Sequence, residues 1–134
     1  MPVLRSELAP IKSSGDIVAI RQLARTRAIE LGFTLVDQTK IVTAASELAR
    51  NTLDYGLGGT VLLESLSEGS RRGLRLTFED QGPGIPDPEQ ALRDGFTTGG
   101  GLGLGLGGAR RLMSDFALES APGKGTKVRV TRWR

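Results

Sequence analysis

A run of glycine between residues 99 and 108 constrains the fold of this chain more than any other feature of its sequence. Seven of these ten residues are glycine, and Leu102, Leu104 and Leu106 fill the other positions. Ordering glycine costs much backbone entropy, so we expect a ligand to order this segment. Its unobstructed N–H groups can surround anionic oxygens, and the run leads into a predicted helix N-terminus, which favours anions. We therefore predict a phosphate-binding loop rather than the alternative, a disordered linker, which the regular leucine spacing disfavours.

The absence of histidine and cysteine narrows the chemistry that this chain can perform. With neither residue among its 134 positions, the sequence excludes disulfides, zinc fingers, thiolate catalysis and a Ser-His-Asp triad. Its length suits a single domain spanning residues 1–134. We find no apolar stretch that would span a membrane and no secretory signal, so we expect a cytoplasmic protein with no membrane partner.

The charge balance raises the alternative of a nucleic-acid binder. The formal net charge is +3, from 18 basic and 15 acidic residues, and the calculated isoelectric point is about 9.8. The excess is small, however, and the basic residues form no long run. Only six aromatic residues are available for stacking on bases, so the composition does not favour nucleic acid as a partner.

Apolar spacing predicts helices and strands within one domain. Asp16 is expected to cap a first helix that ends at Gly32, and Asp37 a second helix that ends at the glycines from Gly56 onward. The side chains expected on their packing faces are Ile17, Ile20, Ala24, Ala28 and Leu31 in the first helix, and Ile41, Ala45, Leu48, Thr52 and Tyr55 in the second.

The second half of the chain predicts strands and further helices. Strands are expected over 60–66, around 74–80 and twice near the C-terminus, where Val128 and Val130 face inward. A helix is expected from Asp87-Pro88 to Gly95, and another that contains Leu106, Arg110, Leu112, Met113 and Phe116. The expected fold class is α+β: a two-layer sandwich with a mixed, mostly antiparallel sheet and helices on one face.

Two groups of polar residues are candidates for a site. Glu47 and Asn51 lie one helical turn apart, so their side chains share a helix face. A carboxylate there can accept a proton, and an amide oxygen can bind Mg²⁺; a solvated helix face is the alternative. Asp80, at a strand end before Gly82 and Gly84, can accept a hydrogen bond from a ligand amino group; an Asp-initiated turn is the alternative.

Taken in order, four segments resemble the boxes of the Bergerat (GHKL) ATP-binding fold, the superfamily of gyrase B, Hsp90, sensor histidine kinases and MutL. These segments are ELARN at 47–51, DQGPGI at 80–85, GGLGLGL at 100–106 and GKGT at 123–126. With DIVAIRQLAR, DGFTT and RRLMSDF, the likeness extends along essentially the whole chain. The chain is similar to the RsbT-like serine/threonine switch-protein kinases of the bacterial stressosome, which are related to the anti-sigma factor kinases.

The resemblance implies a role for each matching residue. Glu47 would be the general base, Asn51 would hold Mg²⁺, and Asp80 would accept from the adenine amino group of ATP, with Thr126 nearby. Phosphoryl transfer mainly requires positioning and charge neutralisation, which such a set can supply. The remaining residues of the implied ATP site are Gly82, Gly84, Ile85, Thr97, Thr98, Gly100, Gly101, Leu102, Gly103, Leu104 and Gly105.

One departure concerns the positive charge near the phosphates. Anti-sigma factor kinases often carry an arginine in the lid, whereas no basic residue lies between Thr97 and Ala109. The charge would come from Arg50, Lys124, Arg110 or a partner, and the short lid favours the RsbT-like group.

The implied function is phosphorylation of serine or threonine on STAS-domain proteins, followed by binding to an effector such as a PP2C-type phosphatase. An anti-sigma factor kinase and a non-catalytic nucleotide switch remain alternatives.

Overall fold

The computed structural model describes residues 2–84 and 105–134, which form a five-stranded sheet and three helices in two layers. The prediction of an α+β sandwich is confirmed. No helix in these two ranges is both long and apolar enough to cross a membrane. In chain order the elements are β1 (Val3–Ile11), α1 (Ser14–Glu30), α2 (Leu35–Asp54), β2 (Gly59–Glu68), β3 (Arg71–Asp80), α3 (Gly105–Leu112), β4 (Asp115–Ser120) and β5 (Thr126–Trp133).

The sheet has the strand order β1-β2-β3-β5-β4, and every pairing is antiparallel. The sequence prediction missed β1, because this strand is exposed along most of its length and lacks the alternation of buried and exposed residues that marks a half-buried strand. The two strands predicted over 60–66 and around 74–80 are longer than expected: β2 continues to Glu68 and β3 begins at Arg71, so only Gly69 and Ser70 separate them.

The helices pack on one face of the sheet, as predicted. Leu63, Leu76 and Val130 lie opposite one another in register on β2, β3 and β5, and all three are buried. Ile17, Ile20, Ala24 and Ala28 of α1 belong to the same apolar core, as do Ile41, Ala45 and Leu48 of α2. Because Ile41, Ala45 and Leu48 anchor α2 to this core, the helix backbone from which Glu47 and Asn51 project is held above the sheet.

The predicted helix caps are wrong by three residues. Ser13 and Thr34 cap α1 and α2, and their hydroxyl oxygens accept hydrogen bonds from the backbone N–H groups of Asp16 and Asp37. Each aspartate therefore lies in the first turn, where its charge complements the helix dipole. Asp16 also accepts a hydrogen bond from the backbone N–H of Lys12 at 2.8 Å, which ties the residue before the cap to the first turn of the helix.

Helix boundaries near two aromatic residues also differ from the prediction. Tyr55 does not pack in the core; it is the C-cap residue of α2 and is exposed. The helix predicted through Phe116 ends at Leu112, and Phe116 lies in β4, where it packs against the core from the sheet. The helix predicted between Asp87 and Gly95 lies outside the described residues.

Candidate active site

Glu47 and Asn51 lie on α2, one turn apart, with the buried apolar stripe of the helix beside them. Only 7% of Glu47 is exposed, so the alternative of a solvated helix face does not hold for this residue. Asn51 is half-buried. Within residues 2–84 and 105–134 the structure shows no hydrogen bond or ion pair to either side chain. A carboxylate and a carboxamide on one helix face are thus both available to a ligand.

Asp80 ends β3 with 7% of its surface exposed. The backbone N–H of Gly82 donates to its Oδ1 atom at 2.9 Å, so the turn predicted as an alternative is present, and it orients the carboxylate. Burial raises the pKa of the Asp80 carboxyl above its ordinary value of 3.8, and the charge of Glu79 adds to the rise. The backbone N–H groups of Gly82 and Thr126 act in the opposite direction, because they stabilise the ionised form.

Gly56 follows the end of α2 and lies against the side chain of Asp80. Its N–H donates to the carbonyl of Asn51 at 3.3 Å, and a Cβ at this position would lie closer than 3.0 Å to the carboxylate of Asp80. A Cβ on Gly82 would in turn lie 2.7 Å from the Cα of Gly56. The two glycines therefore let the end of α2 and the turn after β3 approach each other closely around Asp80. Sequence reasoning treated Gly56 only as a helix stop; the cluster of glycines at 56, 58 and 59 was the available signal.

An open cavity of about 370 Å³ lies at this junction. Its walls are the segment 56–60, which connects α2 to β2, and the segment 79–82, which includes Asp80. The volume falls in the range of small-molecule sites. Asp80 is the only buried acid of this wall, so the cavity combines a small concave space with one oriented hydrogen-bond acceptor.

The predicted boxes at 80–85 and 123–126 lie against each other. The N–H of Gly123 donates to the carbonyl of Pro83 at 2.7 Å, and Gly84 has a φ of +81° with no room for a side chain beside the backbone of Ala121. Thr126 lies opposite Asp80 in the β3–β5 register, and its hydroxyl is 2.9 Å from that of Ser120. The fold thus brings Asp80, Gly82, Gly84 and Thr126 to one end of the sheet.

The three basic candidates occupy separate places. Arg50 is on α2 with a guanidinium nitrogen 4.0 Å from a carboxylate oxygen of Asp54. Arg110 is exposed on α3, and Lys124 is exposed in the turn between β4 and β5. No described contact joins any of the three to Glu47, Asn51 or Asp80.

The remaining residues of the predicted ATP site belong to the glycine run and to the segment before it. Gly105 begins α3, so the glycine run leads into a helix as expected. The other candidates of this segment lie outside the described residues: Ile85, Thr97, Thr98, Gly100, Gly101, Leu102, Gly103 and Leu104.

Comparison with known proteins identifies the class to which this fold and site belong. A family profile, described as histidine kinase-, DNA gyrase B- and HSP90-like ATPase, matches residues 36–133. The chain belongs to this ATPase family, which confirms the predicted ATP-binding superfamily.

Sequence relatives place the chain more narrowly. It is 50% identical over 123 residues to serine/threonine-protein kinase RsbT of Bacillus subtilis, with 92% of each chain covered. It is 30% identical over 128 residues to an anti-sigma F factor of a Thermoanaerobacter species, covering 91% of this chain and 87% of that one. The prediction of an RsbT-like serine/threonine kinase homologue is confirmed.

Solved structures agree on the fold. A structure of the RsbU and RsbW domains of a Mycobacterium tuberculosis protein matches with a TM-score of 0.66 at 19% identity, covering 97% of this chain. This chain spans only 33% of the length of that one. A SiaB–SiaC complex from Pseudomonas aeruginosa matches with a TM-score of 0.55 at 15% identity, over 98% of this chain and 91% of that chain.

Proposed function

We propose that this chain, as one kinase domain over residues 1–134, uses Mg²⁺ and ATP to phosphorylate serine or threonine on STAS-domain partners of a stressosome. Phosphorylation of the partner would then free the kinase to bind an effector, such as a PP2C-type phosphatase, in the cytoplasm. The observation that carries it is the position of a buried Glu47 one helical turn before Asn51, on a helix whose end packs against Asp80; no residue within 2–84 and 105–134 bonds to Glu47. The likeness to a serine/threonine kinase along 92% of the chain supports the reaction class.

Asp80 is proposed to select adenine. Its Oδ1 already accepts from the Gly82 N–H, which leaves the second carboxylate oxygen to accept from the purine amino group. Gly82 and Gly84 then form the wall of the purine site, since both lie in the turn that follows Asp80, with Thr126 across the strand pair.

Glu47 is proposed to accept the proton of the substrate hydroxyl. The oxygen then forms a bond to the γ-phosphorus while the bond from that phosphorus to the bridging oxygen breaks, and ADP leaves with the electron pair. Burial favours this role because a carboxylate shielded from water is a stronger hydrogen-bond acceptor. We propose that this hydroxyl belongs to a serine or threonine of the partner protein.

Asn51 is proposed to hold Mg²⁺, which would neutralise charge on the phosphates. In the described ranges no group of three or more acidic side chains could hold a metal ion by itself. We propose that Mg²⁺ is bound by one protein oxygen together with nucleotide phosphates and water. Further positive charge is proposed to come from Arg50, Arg110, Lys124 or the partner.

A second candidate function is supported by the likeness to anti-sigma F factors. At 30% identity this likeness covers 91% of the chain, so sequestration of a sigma factor is a specific alternative. Co-purification with a sigma subunit would support it. A nucleotide switch without phosphoryl transfer is a further alternative, because a kinase and such a switch would use the same ATP pocket.

Transfer of labelled phosphate from ATP to purified STAS-domain proteins tests the proposal. We expect Glu47→Gln to bind ATP normally and to lose transfer by about 10²–10⁴-fold, the usual contribution of a general base. Asp54→Asn is the matched control, since Asp54 is an exposed acid further along α2, and it should retain transfer. Normal transfer by Glu47→Gln would refute the base assignment, and nucleotide binding with no transfer by the wild type would favour the non-catalytic switch.

A further inference from the structure

Leu57 follows the end of α2 in a conformation that leucine rarely adopts. Its φ is +62°, and within residues 2–84 and 105–134 it is the only residue other than glycine with a positive φ. The side chain of leucine makes this left-handed region costly, whereas glycine adopts it without strain. Three of the four residues at 56–59 are glycine, yet a leucine stands where the backbone favours a fourth.

The backbone holds this conformation from both sides of Leu57. The N–H of Gly56 donates to the carbonyl of Asn51 at 3.3 Å, and the N–H of Gly58 donates to the carbonyl of Thr52 at 3.0 Å. Both neighbours of Leu57 are therefore tied to the last turn of α2. Because these hydrogen bonds use backbone atoms alone, the turn does not need the side chain of Leu57.

The hydrophobic core does not account for a leucine at this position either. Leu57 is 82% exposed, more than any other large apolar residue in the described ranges, and it is not a member of the core. It lies instead in the wall of the cavity beside Asp80. The other described residues of that wall are glycine or polar, so Leu57 supplies the only apolar side chain among them.

We propose that Leu57 is a nucleotide-binding residue whose side chain packs on the purine base when ATP enters this cavity. The inference rests on the proposed function, in which Asp80 accepts a hydrogen bond from the edge of that base. A purine has polar atoms at its edge and apolar faces, and a site that binds it tightly needs an apolar group to shield a face from water. Asp80 meets the first requirement, and Leu57 meets the second. Strained residues of this kind persist at ligand sites.

Substitutions of Leu57 separate backbone strain from contact with the ligand. Leu57→Ala and Leu57→Gly both remove the apolar side chain, so each should weaken ATP binding about tenfold in calorimetric titration, the scale expected when a leucine loses most of its apolar contact. Leu57→Gly also removes the strain, so it should be at least as stable as Leu57→Ala in denaturant titration. A residue that served the fold would instead lose stability together with affinity.

Two further variants control for the chemistry and the position of the side chain. Leu57→Met keeps an apolar side chain of similar volume, so it should bind ATP more tightly than either truncated variant. Leu35→Ala removes a leucine that is 70% exposed at the other end of α2, and it should leave ATP binding unchanged.

A comparison of ATP with ADP locates the contact on the base. Leu57→Gly should weaken the binding of both nucleotides by the same factor, because they carry the same base and differ only in phosphate. Wild-type affinity in Leu57→Gly, a loss that differs between ATP and ADP, or a fall in the stability of both truncated variants would each overturn the assignment and leave the proposed function intact. A wild type that binds ATP but transfers no phosphate would refute the proposed kinase reaction, while the calorimetric test of Leu57 would still decide this inference.

Discussion

Replacing Asp80 by asparagine separates the two hydrogen bonds that we assign to this carboxylate. The aspartate offers two acceptor oxygens: Oδ1 accepts from the Gly82 N–H at 2.9 Å, and the other is proposed to accept from the adenine amino group. Asparagine has nearly the same shape but only one acceptor oxygen. If that oxygen keeps Gly82, its amide group meets the adenine amino group donor to donor. If it turns to the adenine, the donor conflict moves to Gly82.

The expected loss of ATP affinity in Asp80→Asn follows from this count of acceptor oxygens. A hydrogen bond to a charged group contributes about 1.5–3 kcal/mol, so its loss weakens ATP binding by about 10–150-fold. Folding stability should respond differently. Burial raises the pKa of Asp80, so the ionised carboxylate destabilises the fold near neutral pH, and the neutral amide removes that cost.

Calorimetric titration with ATP and with inosine triphosphate measures the expected change in nucleotide binding, and denaturant titration measures the expected change in stability. The inosine base carries a carbonyl oxygen where adenine carries its amino group, so the variant amide can donate to it and the preference for ATP should fall. Glu119→Gln, an exposed acid on β4, is the control and should bind both nucleotides as the wild type does. Wild-type affinity for ATP in Asp80→Asn, with an unchanged preference, would refute the assignment of Asp80 to the base.

Three further predictions concern stability and pH. Gly56→Ala should lower the free energy of unfolding by about 1–3 kcal/mol in denaturant titration and should weaken ATP binding, because the new Cβ overlaps the Asp80 carboxylate. The control is Gly15→Ala in the first turn of α1, where a Cβ would meet its neighbours at ordinary distances, and it should be neutral or stabilising. Leu76→Ala should cost about 2–5 kcal/mol because Leu76 is fully buried at the centre of the sheet, whereas Leu57→Ala, at an exposed position, should change little; equal effects would contradict the assigned core. The folded protein binds the Asp80 proton more tightly than the unfolded chain does, so the contribution of Asp80 to stability should fall as the pH rises from 3.8 through its raised pKa. ATP affinity should rise over the same pH range, because the ionised carboxylate is the better acceptor. Both trends should be absent in Asp80→Asn.

The sequence predicted most of the fold because the helices and inner strands carry strong periodic signals. Leu74, Leu76 and Phe78 alternate with polar residues, and the structure buries all three. β1 was not predicted, since its residues are exposed and its pairing depends on β2, which is about fifty residues away in the chain. Local signals cannot specify such a partner.

The candidate site was predicted unevenly. Glu47, Asn51 and Asp80 could be singled out because their spacing is local, within one helix or at one strand end, and their roles stay predictions. The role of Gly56 was missed, because its requirement for a missing side chain arises only when α2 and the turn after β3 meet. The buried pairing of Arg27 with Glu7 was missed for the same reason: it joins α1 to a strand that the sequence did not predict.

The acid stability of the phosphate transferred to a partner tests the central claim most directly. We expect label from ATP to appear on a STAS-domain protein as a phosphoester that survives hot acid, as phosphoserine and phosphothreonine do, and to disappear with Glu47→Gln. Label that is lost in acid, as from histidine or aspartate, or no label on any partner while Mg-ATP binds normally, would contradict the account.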